Sequence, residues 1–543
     1  EPISRRVFWG SRAASRAQAA RVCEAMGCLR TCGFLAAAIA LFAGVYVSEL
    51  ARFRSNAPGA RWVNWIGEFD CGPGITIERP QTLKELQDAV RRHHSVRAAA
   101  TGHSFNPMHC PAFPQGAVID VTALRSIKLE RHGDGHKVVA EAGIKMGQVQ
   151  NFVLAKGLTL RVPPGNSAYT VGGCIATGCH NLGQSHAQDL LAVTIVQHNG
   201  TLVEVKRGDP DFDAAAVSLG RLGVLVSISL EVLPYRSLQW SSERLPLPGS
   251  RAVIDQLHEM KKMQTSQETT GNKLVFYLAT GVMMMEYWTA TGRAAKLEEA
   301  TEPLPPYINS QVFRVGQGPL TRIYAELRSA VFGVTPLPVM SALQVPAEMA
   351  FRSLHSSPAL AFVRKALGWQ HSPEARGEAS VRPTGNKYTW AGWLDEVMNL
   401  IMGLRHIEVI FPLEDRDRAA KCLDIVFAHK HLAWWRLNVR TQASEGFYLS
   451  STHADTKGGE KLFFARVDFV APGALLDIPS GEASLTKQLH EQCPGWRKHW
   501  GKGLFATSSD EQWGEPEAFL EVANRWDPNG KFVPQSMPRW LSR

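Results

Sequence analysis

The sequence predicts an α+β protein with one membrane-spanning helix near its N-terminus. Short runs rich in β-branched residues alternate with Gly- and Asn-containing turns between residues 96 and 233, a pattern typical of strands. An earlier segment, residues 81–91, has apolar positions at helical spacing. An uncharged and mostly apolar stretch fills residues 31–48. With 543 residues, of which 45% are hydrophobic, the chain is long enough for about three or four domains.

The order of these elements follows from local composition. After the helix over 81–91, a short β-like run at 96–100 leads directly into a loop of small residues. Further strands are predicted in five runs, at 117–121, 136–143, 192–196, 202–205 and 220–233. From about Pro234 the segments become longer and richer in Trp and Met, which predicts a second domain.

The N-terminus carries two targeting signals in series. Residues 4–21 hold five arginines and no acidic residue, which favours a mitochondrial presequence over a disordered basic arm. Residues 31–48 would reach about 27 Å as a helix, enough to cross the hydrocarbon core of a bilayer. A secretory signal sequence and a buried core helix are the alternatives for this stretch.

Charge places the bulk of the chain relative to this membrane. Arginine is denser before residue 31 than after residue 48, so the short arm is expected on the positive-inside face and the main body across the bilayer. We therefore expect the mitochondrial inner membrane, with the body facing the intermembrane space. The endoplasmic reticulum membrane is the alternative.

Composition also excludes several classes of site. The net charge of +9 is spread thinly, without the basic run of a nucleic-acid groove. The nine cysteines are irregularly spaced, which argues against a disulfide framework and predicts mostly reduced thiols. Their spacing predicts no tetrahedral metal site. The Gly-Lys-Ser/Thr phosphate loop and the Gly-x-Gly-x-x-Gly fingerprint are absent from the sequence, so a nicotinamide cofactor is not expected.

Two glycine-containing loops carry the strongest functional signal. The first is Thr101-Gly102-His103-Ser104, and the second runs from Val171 to Asn181 as Val-Gly-Gly-Cys-Ile-Ala-Thr-Gly-Cys-His-Asn. Small residues leave backbone N–H groups open to a pyrophosphate, so Gly102, Gly172 and Gly173 are the expected contacts. Each loop alone is equally typical of an ordinary turn, but their order and flanking strands together predict a flavin site.

This pair of loops resembles the vanillyl-alcohol-oxidase-type flavoproteins, and within them the sugar-1,4-lactone oxidases and dehydrogenases. The resemblance implies a FAD-binding domain of two subdomains with an α/β cap domain. His103 stands where family members bind FAD covalently; taken alone, it would more often be a surface or capping histidine. The resemblance also places a further set in the cofactor site, namely Thr101, Ser104, Thr177, His180 and Val226.

The C-terminal region supplies a second motif. His499-Trp500-Gly501-Lys502 resembles the His-Trp-Gly/Ala-Lys signature of the aldonolactone oxidoreductases, and residues 527–532 resemble the family's terminal Asp-Pro-x-Gly-x-Phe turn. A lysine beside the pyrimidine edge of a flavin would stabilise the charge that develops on reduction, and His499 could bond a substrate hydroxyl. The alternative is a surface lysine beside a core tryptophan.

A third motif departs from the family pattern. Relatives carry Glu-x-Arg on a strand of the cap domain, so that both side chains share one face. Here Arg440 matches the arginine, but Asn438 takes the place of the carboxylate. An amide orients a hydroxyl but cannot act as a base. Glu408 resembles another acidic position on an adjacent strand; its alternative is a solvent-facing residue.

The resemblance implies oxidation of an aldono-1,4-lactone at carbon two, to give ascorbate or an analogue. Electrons would pass from FAD to oxygen or to cytochrome c. In this family, Gly or Pro beside the flavin admits oxygen. The resemblance places Pro164 at that position, which favours an oxidase. An alignment shifted by one residue would place Pro163 or Gly165 there instead. Two alternatives are a related alditol or hydroxy-acid flavin oxidase, and a structural or assembly subunit of a membrane respiratory complex.

These inferences divide the chain into five parts. They are a basic arm (1–28), a transmembrane helix (29–50), a FAD-binding domain (51–235), a substrate or cap domain (236–470) and a C-terminal segment that returns to the flavin site (471–543).

Overall fold

The computed structural model describes most of the chain from residue 74 onward, with gaps. The described residues are 62, 64, 69, 71–72, 74–113, 115–161, 168–181, 183–266, 271–277, 282–294, 379–380, 404–433, 436–454, 461–472, 478–503, 514–536, 538 and 541. The basic arm and the apolar stretch 31–48 lie outside these ranges, as does Pro164. Within them, no helix combines the length and apolarity needed to cross a membrane.

The first part of the chain forms two sheets. A parallel three-stranded sheet has the order β1-β3-β2, and an antiparallel sheet has the order β10-β9-β11-β5-β4, with β6 pairing β11. The strands are β1 (Thr76–Glu78), β2 (Val96–Ala99), β3 (Ala117–Asp120), β4 (Ile127–His132), β5 (Gly135–Glu141), β6 (Leu158–Thr159), β9 (Leu190–Val196), β10 (Leu202–Lys206) and β11 (Val224–Pro234). Strands β7 (His180–Asn181) and β8 (Gln184–Ser185) form a small hairpin. All the strands predicted from composition in this region are confirmed.

Helices pack on these sheets through their apolar positions. In α1 (Leu83–Arg92), Thr82 caps the N-terminus by accepting from the Glu85 N–H, and Leu86, Ala89 and Val90 are buried at helical spacing. The remaining helices here are α2 (Met146–Leu154), α3 (Val171–Thr177) and α4 (Phe212–Ala216).

The second glycine-containing loop is not a loop throughout. Its first part forms α3, which Thr170 caps and which ends at Gly178 in the left-handed conformation (φ +68°). Val171, Cys174 and Ile175 are buried on one side. The sequence interpretation missed this helix because its glycines hid the i, i+3, i+4 apolar spacing.

The second part of the chain forms one antiparallel sheet, whose first strand is separated from the end of β11 by a single residue, Tyr235. Its order is β15-β12-β14-β13-β17-β18-β16-β19. The strands are β12 (Arg236–Leu245), β13 (Gly271–Tyr277), β14 (Val282–Ala294), β15 (Ala379–Ser380), β16 (Leu404–Pro412), β17 (Arg436–Ala443), β18 (Phe463–Pro472) and β19 (Arg497–Lys498). Helices α5 (Gly249–Thr265), α6 (Arg416–Ala428) and α7 (Ile478–Gln492) accompany them, and their buried side chains join one core with the apolar face of the sheet.

The C-terminal segment contributes to both parts. Strand β19 pairs with β16, and Leu485 and Leu489 of α7 lie in the core of the second sheet. The chain then crosses, and α8 (Pro516–Trp526) places Phe519 and Trp526 in the core of the first part. Residues 499–503 lie at this crossing.

Cysteine usage differs from the prediction. Of the six cysteines in the described residues, four form two disulfides, Cys71–Cys110 and Cys422–Cys493, while Cys174 and Cys179 are free thiols. The prediction of mostly reduced thiols is wrong for this part of the chain. Partners separated by 39 and 71 residues leave no regular spacing to detect, because the fold alone brings them together.

Candidate active site

The polar face of the second sheet supplies one wall of the site. Strand register places Asn438 (β17), Asp468 (β18) and Glu408 (β16) side by side. Two residues along, Arg440 lies opposite Arg466. Since side chains alternate between the faces of a sheet, these five residues share one face. The intervening apolar residues point to the opposite face and its core.

Glu408 is the centre of a buried charge cluster. Its carboxylate is 2.9 Å from Arg466 Nη1, 3.0 Å from Lys502 Nζ and 3.0 Å from His180 Nε2. The Glu408 side chain has no exposed surface. The alternative of a solvent-facing strand residue is therefore wrong. The cluster joins β16, β18, the β7 hairpin and the 499–503 crossing.

Electrostatics settle the ionisation states within this cluster. Burial opposes the charge of Glu408, but the hydrogen bond from His180 and the cations of Lys502 and Arg466 outweigh burial and hold its pKa well below the ordinary value. Burial, reinforced by the charge of Arg466, lowers the pKa of His180 well below 6.5. Near neutral pH, Glu408 is therefore an anion and His180 a neutral imidazole.

Asp468 organises the neighbouring pair. Its Oδ2 accepts a hydrogen bond of 3.2 Å from Asn438 Nδ2, and its Oδ1 accepts one from Arg440 Nη2. Burial raises the pKa of Asp468, but the charges of Arg440 and Lys502 outweigh it, and the pKa lies below the ordinary value. Sequence reasoning missed both Asp468 and Arg466. Their signal was two charged residues, two positions apart, in the otherwise apolar strand β18.

Direct hydrogen bonds join the His103 loop to the Lys502 loop. The Phe105 N–H donates to the Gly501 carbonyl at 3.0 Å, and Asn106 Nδ2 donates to the Trp500 carbonyl at 2.5 Å. The Gly503 N–H donates to the His406 carbonyl on β16 at 2.7 Å. Segments almost four hundred residues apart in sequence therefore meet beside the charge cluster.

The ring of His499 is bonded to the backbone on both sides. Its Nδ1 accepts a 2.9 Å bond from the Gly501 N–H, and the ring also bonds the Gly178 backbone. Burial lowers its pKa to about 3, so the ring is neutral. With Nδ1 accepting, the other nitrogen carries the proton and donates to the Gly178 carbonyl. His499 therefore supports the turn before Lys502, and its bond to a substrate hydroxyl stays a prediction.

The three glycines predicted to bind a pyrophosphate through their N–H groups differ in their surroundings. Gly102 adopts φ +71°, a conformation that favours glycine, and a Cβ there would lie 2.9 Å from the Trp62 ring. The Gly172 N–H already donates to the Ala142 carbonyl at 3.0 Å, and the Gly173 N–H is directed to Thr170 Oγ1 at 3.4 Å. Both are therefore engaged within the protein, and their contact with a pyrophosphate stays a prediction.

The other predicted cofactor residues occupy several positions. His103 Nδ1 is 2.9 Å from Thr101 Oγ1, and the His103 ring packs edge-on against Tyr169. The Ser104 carbonyl accepts from Asn64 Nδ2, and Thr177 Oγ1 donates to the Gly173 carbonyl. A Cβ on Gly501 would lie 3.6 Å from Thr177 Oγ1, so Thr177 adjoins the Lys502 loop. Val226 is buried in a core shared with β2 and β3.

The terminal Asp-Pro-x-Gly-x-Phe turn has a structural role. Asp527 accepts hydrogen bonds from the Lys531 and Phe532 N–H groups and pairs with the buried Arg221. Arg97 donates to the Phe532 carbonyl at 2.6 Å. These contacts anchor the end of the chain to β2.

Several buried atoms in and beside the charge cluster lack a hydrogen-bond partner within the described residues, among them Asn438 Oδ1, Arg440 Nε and Arg466 Nε on the sheet and His180 Nδ1 on the β7 hairpin. Buried polar atoms are rarely left unpaired, so this group is the signature of a polar ligand site. The carbonyl and N–H groups of an isoalloxazine edge, flanked by the cations of Lys502 and Arg440, fit such a donor and acceptor set.

Comparison with known proteins agrees with this geometry. Residues 76–206 match the family model of the FAD binding domain. The matched segment contains the His103 loop, α3 and His180. This chain therefore carries a FAD-binding domain.

Several relatives of this chain carry lactone oxidoreductase names. An L-gulono-1,4-lactone dehydrogenase of Mycobacterium tuberculosis is 30% identical over 202 residues, which are 36% of this chain and 46% of that protein. An L-gulonolactone oxidase of Bos taurus is 28% identical over 190 residues, which are 33% of this chain and 42% of that protein. The chain thus spans less than half the length of each relative. The predicted resemblance to the sugar-1,4-lactone oxidoreductases is confirmed.

Solved structures extend the likeness to the fold as a whole. A solvent-stable cholesterol oxidase superposes with a TM-score of 0.60 at 16% identity, over 89% of this chain and 98% of that one. At this identity the likeness concerns the fold alone. The vanillyl-alcohol-oxidase-type fold of the prediction is confirmed, while its membrane anchor stays a prediction.

Proposed function

We propose that this chain is a FAD-dependent oxidoreductase that oxidises the carbon-two CH–OH of an aldono-1,4-lactone to give ascorbate or an analogue. One observation carries the proposal. The His103 loop of the FAD-binding domain is hydrogen-bonded to the loop that presents Lys502, through the Phe105 N–H and the Gly501 carbonyl. The names of the two lactone oxidoreductases described above supply the substrate class.

FAD, when bound, supplies the hydride acceptor. His103 would hold it covalently. Lys502 would favour negative charge on the pyrimidine edge of the flavin. Glu408 holds the ammonium group in place, with Lys502 Nζ 3.0 Å from Glu408 Oε2. Arg440 would bind an oxygen of the substrate or of the flavin edge, because its Nε has no partner within the described part of the chain.

The proton of the substrate hydroxyl does not pass to Glu408 in this proposal. Glu408 is already engaged by Arg466, Lys502 and His180, and its lowered pKa makes it a weak base. Asn438 offers its Oδ1 as an acceptor that orients the hydroxyl, while the proton leaves to solvent.

For localisation, we propose an anchor at residues 31–48 in the mitochondrial inner membrane, with the body in the intermembrane space. The two disulfides support an oxidising compartment, since disulfides persist there and are rare in the cytosol. The same observation is compatible with the alternative, the endoplasmic reticulum. Of the two acceptors, we propose oxygen over cytochrome c, because Pro164 favours an oxidase.

Anaerobic reduction of the purified flavoprotein tests the function. L-Gulono-, L-galactono- and D-arabinono-1,4-lactone are added separately, with an alditol and a hydroxy acid as comparison substrates. We expect a lactone to bleach the flavin fastest, and the variant Lys502→Met to slow bleaching strongly. Lys206→Met, at an exposed lysine of β10, serves as the matched control.

Other results would reject the proposal. Faster bleaching by the alditol or hydroxy acid would identify a different flavin oxidase. Retained flavin that no substrate bleaches would favour the structural or assembly subunit. Hydrogen peroxide release compared with cytochrome c reduction, at one lactone concentration, then distinguishes the two acceptors.

A further inference from the structure

The two carboxylates on the polar wall are not equivalent. Glu408 has cationic or imidazole partners at 2.9 to 3.0 Å and a fully buried side chain. Asp468 lies directly opposite it on β18. Its side chain is 6% exposed, and its partners are Arg440 and Asn438. Glu408 is thus committed to the charge cluster, whereas Asp468 is bound to Asn438 and Arg440, two of the four residues named above that have unpartnered atoms within the described residues.

Those open atoms give Asp468 its significance. Asn438 donates through Nδ2 to Asp468 and leaves Oδ1 unpartnered, and Arg440 donates through Nη2 and leaves Nε unpartnered, within the described residues. One carboxylate therefore fixes the orientation of two side chains that face a ligand. It also provides negative charge within 3.2 Å of position 438, where the sequence itself has an amide.

We propose that Asp468 is the positioning carboxylate of this pocket: it holds Arg440 and Asn438 toward the substrate and supplies, from the neighbouring strand, the negative charge that position 438 lacks. The proposal rests on the proposed function only where a lactone is used as substrate. The proposal requires one carboxylate and one amide at positions 438 and 468, in either order.

A double variant that exchanges the amide and the carboxylate between the two positions tests this requirement. Asn438→Asp combined with Asp468→Asn moves the charge across the strand pair while conserving shape. The amide introduced at position 468 would accept from Arg440 and donate to the carboxylate introduced at position 438, so the number of hydrogen bonds is unchanged. Each single variant violates the requirement for one carboxylate and one amide. D468N leaves no carboxylate at the two positions, and N438D places two carboxylates within hydrogen-bonding distance.

Kinetics of the flavin-loaded enzyme with the preferred lactone give the first measurement. We expect D468N to lower kcat/KM about 10- to 100-fold, the loss typical of a hydrogen bond to a charged group. The double variant should regain about tenfold. In N438D, one carboxylate of the pair should bind a proton at higher pH, so the acid limb of kcat/KM should move upward, and the shift should vanish in the double variant. Asp424→Asn, an exposed residue of α6, is the control.

Chemical unfolding gives a second measurement that needs no turnover. All four proteins are unfolded at neutral pH with their flavin content recorded, and the double variant should be more stable than either single variant. If the wild type oxidises no lactone, the proposed function fails while this cycle still tests Asp468. Two results would overturn the inference. One is a kcat/KM of D468N within threefold of the wild-type value. The other is a double variant that exceeds D468N neither in kcat/KM nor in stability.

Discussion

Glu408 and Asp468 lie directly opposite each other on β16 and β18, yet both carboxylates are ionised. Like charges at such a cross-strand pair normally destabilise a sheet. Here burial works against both charges, and cations compensate: Arg440 lies beside Asp468, Arg466 lies beside Glu408, and Lys502 lowers the pKa of each. The site is therefore a compact array of alternating charge whose members depend on one another.

Removal of the central charge should cost substantial stability. Glu408→Gln leaves Arg466 and Lys502 as buried cations without their counter-charge, which typically costs about 3–5 kcal/mol. The free energy of unfolding from a urea titration measures this loss. Glu204→Gln, on the exposed edge strand β10, should change it by less than about 1 kcal/mol. Equal effects of the two variants would contradict the assigned role of Glu408.

Stability should fall as the pH decreases below 6.5. The pKa of His499 is lowered to about 3, and that of His180 is also lowered. Between the lowered pKa of each ring and pH 6.5, the unfolded chain therefore binds more protons than the folded chain. Each histidine then contributes a slope of up to about 1.4 kcal/mol per pH unit. Below the ordinary pKa of a glutamate, Glu408 adds to the loss in the same direction.

The contribution of His499 can be isolated with His499→Gln, which retains one donor and one acceptor. We expect the free energy of unfolding to depend less on pH between 6.5 and 4 in this variant. His132→Gln, at an exposed position of β4, should leave the wild-type slope unchanged. A slope as steep in H499Q as in the wild type would show that the ring is protonated in the folded protein.

The flavin should stay with the polypeptide through His103. Acid-precipitated wild-type protein is expected to retain flavin absorbance, whereas His103→Ala should release the flavin to the supernatant. The exposed His94→Ala serves as the control and should behave like the wild type. Release of flavin from the acid-precipitated wild type would mean that the cofactor is held without a covalent bond.

The disulfide between Cys422 and Cys493 should stabilise the second sheet and its helices. It closes a loop of 71 residues, for which chain entropy predicts about 4 kcal/mol. The double variant Cys422→Ala/Cys493→Ala should lose about that much in urea unfolding. Alkylation of the denatured, unreduced wild type should leave both cysteines unlabelled, and labelling without reductant would contradict the pairing.

Local composition was sufficient to predict helix α1 and six strands of the first part of the chain. The strand runs at 117–121 and 192–196 matched observed strands because β-branched residues and the turns around them act within a few positions. The short helix α3 was missed, since Thr170 capping and burial of Ile175 outweigh the low helix propensity of its glycines.

Individual motifs predicted candidate residues for the site, but not the contacts that each of them makes. Arg440 lies on the polar face of the sheet and Lys502 pairs with Glu408 from the 499–503 crossing, while the ring of His499 bonds the backbone at both nitrogens. The sequence around position 438 showed an amide in place of a carboxylate. It could not show Asp468 beside it, because the pairing depends on the register of two strands joined by a long connection.

By itself, then, the sequence determined helix α1 and six strands of the FAD-binding domain, the flavin class of the site and the motifs that contribute to it, because these are properties of short segments with a specific composition. Tertiary structure alone decided the partners of Glu408, the place of Asp468 and the two disulfides. Ion pairs and disulfides need atoms to meet within a few ångströms, and only the packed sheets bring residues 103, 408, 468 and 502 into one site.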